Sequence, residues 1–105
     1  MAFTLTGVEG GKVSIAIGAD VQFVLKGTQL LTPGAEFYAS KSQDGSKFKK
    51  IRIYPAGSST DSDDRIELIA NADNLDTDNV GKTYWLVGKA GTSAVSSLEV
   101  LYIQK

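Results

Sequence analysis

"DTDNVGKTYWLV", residues 76–87, decides how the rest of the chain is read. Its centre, Gly81-Lys82-Thr83, matches the close of a phosphate-binding loop, G-x-x-x-x-G-K-[ST]. In that loop, backbone N–H groups cradle phosphate at a helix N-terminus. Here Asp76 stands where the first glycine belongs and puts a carboxylate where phosphate would lie, and Asp73 and Asp78 add to the repulsion. The next residues, Tyr84-Trp85-Leu86-Val87, suit a strand, so no helix dipole faces the anion. The stretch reads as a turn into a late β-strand, and no nucleotide is expected. Gly10-Gly11-Lys12 is a weaker likeness, because Val13 takes the Ser/Thr place.

Outward from this strand, period-two alternation recurs along the whole chain. Phe3 and Leu5 alternate with Thr4 and Thr6, and Val13, Ile15 and Ile17 with Ser14 and Ala16. Val21, Phe23 and Leu25 follow, then Phe37 and Ala39 against Glu36 and Tyr38. Ile51 and Ile53 alternate with Lys50, Arg52 and Tyr54, and Ile66, Leu68 and Ala70 with Arg65 and Glu67. Leu98, Val100 and Tyr102 close the series against Glu99, Leu101 and Ile103. Such repetition means half-buried strands. Breakers separate the runs, among them Gly10-Gly11, Gly18, Pro33-Gly34, Asp44-Gly45 and Gly91-Thr92. Asp44-Gly45 is a strong hairpin signal, since a type I′ turn needs positive φ at both central residues. The expected fold is all-β, a sandwich of seven or eight mainly antiparallel strands. Between residues 71 and 80 at most one helical turn is expected. The predicted core is Val13, Ile15, Val21, Phe23, Leu25, Phe37, Ile51, Ile53, Ile66, Leu68, Tyr84, Leu86, Leu98 and Val100.

At 105 residues the chain makes one domain, residues 1–105, with one core. It has no cysteine and no histidine, which removes disulfides, thiol nucleophiles, the commonest general base and the commonest transition-metal ligand. A formal net charge of −1 gives no global pull toward nucleic acid or an anionic membrane. No apolar run approaches the ~20 residues that span a bilayer, and the N-terminus lacks the pattern of a signal peptide.

Charge is segregated. Lys41, Lys47, Lys49, Lys50 and Arg52 fall in one segment, opposed by Asp44 alone. Asp61, Asp63, Asp64, Glu67, Asp73, Asp76 and Asp78 fall in another, opposed by Arg65 alone. Phe48, Lys50, Arg52 and Tyr54 are expected to alternate onto one face of a hairpin strand. Lys47, Lys49, Lys50, Arg52 and Tyr54 are thus the candidate interaction residues. Cations among aromatics also suit single-stranded nucleic acid, but the slightly acidic whole lacks a broad basic footprint, so an exposed sheet face whose lysines discourage edge pairing is the preferred reading.

Asp73, Asp76 and Asp78 are candidate calcium ligands, with Asp61, Asp63 and Asp64 as further hard oxygens. The EF-hand pattern fails, because counting from Asp76 the twelfth position is Val87 rather than a bidentate Glu. No metal or other cofactor is assigned. Ser46-Lys47-Phe48-Lys49 matches the Ser-x-x-Lys of penicillin-recognising enzymes. That pairing needs a helix, where residues three apart share a face, and this segment follows a turn signal into a strand pattern. No enzymatic activity is expected.

"VGKTYWLVGKAGTSAVSSLEVLYI", residues 80–103, resembles the last two strands of immunoglobulin-like domains. Asp78, Gly81 and Tyr84 look like the start of strand F, where a Tyr packs the corner and its hydroxyl returns to nearby backbone. Gly91-Thr92-Ser93 looks like the F–G turn. "VQFVLKGTQLLTPGAEFYAS", residues 21–40, resembles the opening of the TIG/IPT branch, with Gly27-Thr28-Gln29-Leu30 and Gly34-Ala35 in its places. Departures are a Gly81-to-Tyr84 spacing one residue longer, no inter-sheet cysteines, Trp85 on a late strand, and a longer segment 41–64.

The resemblance implies a non-enzymatic module that acts as spacer, adhesive surface or accessory. A structural module of a larger assembly is expected, preferably a decoration or tail-associated protein of a bacteriophage virion, with protein partners. That preference also reads the short chain, with its start Met, as a complete frame. The alternative is a ligand- or glycan-binding domain excised from a bacterial surface or secreted protein, with Tyr38, Tyr54 and Trp85 as sugar-stacking candidates. The opposed charge segments are expected to be separated by a crossing between sheets, and to give a monomer or a weak, salt-sensitive, head-to-tail oligomer.

Overall fold

The computed structural model describes residues 3–43, 46–72, 75–91 and 94–104. Among them, eight strands form two four-stranded sheets packed as a β-sandwich. The strands are β1 (Thr4–Val8), β2 (Val13–Ala16), β3 (Asp20–Thr28), β4 (Glu36–Ser40), β5 (Arg52–Pro55), β6 (Arg65–Asn71), β7 (Thr83–Ala90) and β8 (Ala94–Gln104). One sheet has the order β1-β3-β6-β5 and the other β2-β8-β7-β4. Strand pairs are antiparallel except β2–β8, which is parallel. The helical turn expected between residues 71 and 80 is a single 3₁₀ turn, Thr77–Asn79.

Alternation builds this core. On β3 and β6, Phe23, Leu25, Ile66, Leu68 and Ala70 are buried between the sheets, while Gln22, Lys26 and Glu67 face out. Nine of the predicted core residues are buried: Val13, Ile15, Phe23, Leu25, Ile51, Ile66, Leu68, Tyr84 and Leu86. The other five, Val21, Phe37, Ile53, Leu98 and Val100, pack against that core half-buried. Leu30, Leu75, Leu101 and Ile103 complete the interior.

Two β-bulges account for the main departures from simple alternation. On β8 the register shifts between Tyr84↔Leu101 and Leu86↔Leu98, so β8 holds one extra residue there. An extra residue turns every later side chain to the opposite face. Leu101 and Ile103 therefore point inward and are fully buried, in place of Val100 and Tyr102. On β1 a shift between Leu5 and Gly7 likewise lets Leu5 and Val8, three residues apart, both reach the core.

The basic segment differs from the expected hairpin strand. Asp44-Gly45 lies outside the described residues, as do Thr92 and Ser93 of the expected F–G turn. An antiparallel bridge, Ser40↔Lys47, joins the two sides of residues 41–46, and Phe48 N donates to Ala39 O at 2.7 Å. Pairing stops there, because β4 belongs to one sheet and β5 to the other. The chain crosses between the sheets after Ser40 and before Arg52. Lys49 and Lys50 occupy a turn, and only Arg52 and Tyr54 share a strand face. The sheet crossing thus falls inside the basic segment rather than between the basic and acidic ones, and β5 pairs directly with β6.

Candidate functional site

The sheets part along the side closed by their last strands, β4 and β5. A hollow of about 410 Å³ opens there, walled by Phe37, Tyr38, Ile51 and Ile53 and carrying Lys47, Lys49, Arg52 and Tyr54. Four of the five candidate interaction residues therefore come together, and Lys50 is exposed on the adjoining turn. Lys47 is set by its bridge to Ser40, and its Nζ lies 5.7 Å from the Tyr38 ring centre. Buried Ile51 anchors the segment just before β5. Phe37 is expected from sequence only as a core residue and Tyr38 only as a sugar-stacking candidate, so neither belongs to the candidate interaction set. Their alternation on β4 was visible, but only the sandwich topology brings β4 beside β5. Cations around an apolar hollow suit an anionic or amphipathic protein surface.

An aromatic stack fastens the crossing to the body of the domain. Lys41 Nζ sits 4.9 Å from the Phe48 ring centre, and Phe48 stacks on Tyr84. Tyr84 is buried, and burial raises its hydroxyl pKa above the ordinary 10.0. The hydroxyl donates to Asn79 Oδ1 at 2.6 Å, and Asn79 Nδ2 donates to Asp76 O at 3.1 Å. It thus reaches the corner backbone through an Asn side chain rather than directly, because the 3₁₀ turn presents Asn79 first.

The phosphate-loop likeness dissolves in this corner. Gly81 takes φ +90°. Its N–H donates to Ile103 O at 2.8 Å, and Lys82 N–H donates to Asn79 O at 3.1 Å. Amides that would hold phosphate are committed to the strand pairing and the turn.

The acidic residues divide between opposite ends of β6. Asp61 Oδ1 accepts from Glu67 N of β6 at 3.0 Å and Asp63 Oδ1 from Leu31 N at 3.2 Å, so the first carboxylate ties its loop to the strand and the second ties two loops together. Asp76 and Asp78 are exposed at the 3₁₀ turn, and Asp73 lies outside the described residues. The seven residues of β6 separate the two groups by roughly 20 Å at ~3.3 Å per residue. Among the described residues no three acidic side chains gather as a metal centre. Nearby, hydrogen bonds from Ser58, Gln22 and Thr60 hold the Glu67 carboxyl below its ordinary 4.5, with Arg65 adding to the effect.

The sugar-stacking candidates are split as well. Tyr38 pairs with Val87 and Trp85 with Ser40, so Tyr38 and Trp85 are diagonal neighbours on one outer face, about 7–8 Å apart. Tyr54 belongs to the other sheet, across the hollow.

No family model matches the chain, and no curated protein matches it. Among solved structures it is similar to domains 4 and 5 of the S-layer protein SbsC, at 14% identity and a TM-score of 0.52. The alignment covers 98% of this chain and 47% of that one, so the chain spans about half the length of that structure. At this identity the likeness is one of fold.

Proposed function

We propose that the chain is a non-enzymatic structural and interaction module of a larger assembly, built on an immunoglobulin-like sandwich of TIG/IPT type. The strand order carries this reading. β1-β3-β6-β5 corresponds to A-B-E-D, and β8-β7-β4 to G-F-C, with β2 added beside the last strand. Tyr84 takes the corner position at the start of the seventh strand and bonds back five residues to Asn79. The candidate polar residues line an edge or tie loops together, which is the business of contact surfaces.

Our first setting for the module is a virion, as a decoration or tail-associated protein with protein partners. A cell-surface setting is the second, favoured by the likeness to an S-layer protein. Antibody against the chain, applied to gradient-purified phage particles and to cell-envelope fractions of the source, tests the choice. Signal that sediments with particles at constant stoichiometry is expected. Signal confined to the envelope moves the module to the cell surface. Signal only in unsedimented material overturns the assembly reading in both settings.

A further inference from the structure

The hollow between β4 and β5 belongs to a longer groove. Two more hollows, of about 300 and 220 Å³, adjoin the first, and Phe37 lines all three. The groove's middle hollow is floored by Phe37, Ile53 and Leu68, and Glu36 and Lys47 line it as well. Its ends are opposite in charge. Lys47, Lys49 and Arg52 line the hollow where β4 finishes, and Asp61 and Glu67 the hollow toward the start of β4, whose first residue is Glu36. Four residues of strand, ~13 Å, separate Glu36 from Ser40, the bridge partner of Lys47. Both β4 and β5 end their sheets, so the groove runs between two sheet edges.

A groove with base at one end and acid at the other selects a partner with the reverse order. A uniformly acidic segment would satisfy one end and be repelled at the other. A second copy of this chain, turned about a two-fold axis that lies in the contact plane and crosses the groove's length at a right angle, presents the required order, because its basic end then meets the partner's acidic end twice over. We infer that two copies of the chain pair antiparallel through the β4/β5 groove, as a closed two-fold dimer. The contact is isologous, so association stops at two. It also places the half-buried Phe37 and Ile53 of each copy beneath the other. The inference goes beyond the assembly reading and holds for either setting of the module.

Sedimentation equilibrium of the full chain, at ~20 mM and ~0.5 M salt, tests it with four proteins. These are the wild type, Lys49→Glu, Glu36→Lys and the double variant, whose two positions are exposed. A dimer is expected in the wild type, weaker at high salt as the Debye length shrinks to a few Å. Each single reversal alters two symmetry-related contacts and raises the dissociation constant about tenfold or more. The double variant restores pairing, and so does mixing the two single variants. Circular dichroism of each variant distinguishes lost pairing from lost folding. A monomer at every concentration, growth beyond two, or single reversals without effect would each overturn the inference. Failure here leaves the particle and envelope measurement untouched.

Discussion

The ring of Tyr84 lies stacked on that of Phe48, with centroids 5.0 Å apart and planes 12° apart. Tyr84 is the second residue of β7, and Phe48 lies in the crossing between sheets. The contact therefore couples the corner to the segment that carries the candidate interaction residues. Phe48→Leu keeps apolar bulk but loses the stack, and should cost about 0.5–1.5 kcal/mol beyond any change in burial. Urea unfolding of Phe48→Leu, Tyr84→Leu and the double variant measures the coupling. Additive losses would show the stacking to be incidental.

Tyr84→Phe removes the hydroxyl bond to Asn79 and should cost about 0.5–1.5 kcal/mol at neutral pH. It should also alter the alkaline limb. The folded pKa is raised, so the unfolded chain releases this proton first, near pH 10. The stabilisation is full below that pH and is lost as pH rises toward the folded value. Denaturation midpoints from pH 8 to 11 should fall less steeply in the Phe variant than in the wild type. Parallel slopes would refute this.

Glu67 acts with the opposite sign. Its folded pKa is lowered, so its stabilisation is present above the ordinary 4.5 and fades as pH falls through the folded value. Glu67→Gln should flatten the acid limb of stability between pH 5 and pH 3. A limb that keeps its slope would assign it to other carboxylates.

The bulge on β8 is open to direct test. Leu101→Ala should cost about 2–5 kcal/mol, because Leu101 is fully buried. Val100→Ala should cost clearly less, since Val100 only packs against the core from a half-buried place. Thermal or urea midpoints in the reverse order would mean that β8 keeps simple alternation.

Gly27→Ala should destabilise by about 1–3 kcal/mol, the range for overpacking. A Cβ at that position would overlap the Thr4 carbonyl and lie 2.8 Å from Leu30 Cδ2. The glycine is needed for the close approach of β1, and its φ is not positive. An alanine variant as stable as the parent would show that β1 is free to withdraw.

Much of the sandwich could be read from the chain, because β3 and β6 alternate from Val21 to Lys26 and from Arg65 to Ala70 and their inward residues are those expected. What could not be read depends on neighbours. A bulge leaves no mark in composition, so Leu101 and Ile103 were assigned to the wrong face. The crossing after Ser40 carries a strand-like pattern from Phe48 to Tyr54, yet its halves serve different sheets. Lys47, Lys49, Arg52 and Tyr54 were legible as a basic, aromatic cluster. Phe37 and Tyr38 were not legible as their partners, since the β4/β5 groove exists only once both sheets are formed.

The parallel pairing of β2 with β8 has a mechanical meaning. Val13 to Ala16 lie alongside Leu101 to Gln104 and run in the same direction. Tension drawing residue 3 away from residue 104 pulls β2 from its beginning and β8 from its end. The force acts along the strands, and their ladder of hydrogen bonds is loaded in shear, all rungs together. β1 meets the same pull along its own length, against β3. Both early strands thus resist stretching collectively, where a hairpin peeled from its open end would yield rung by rung.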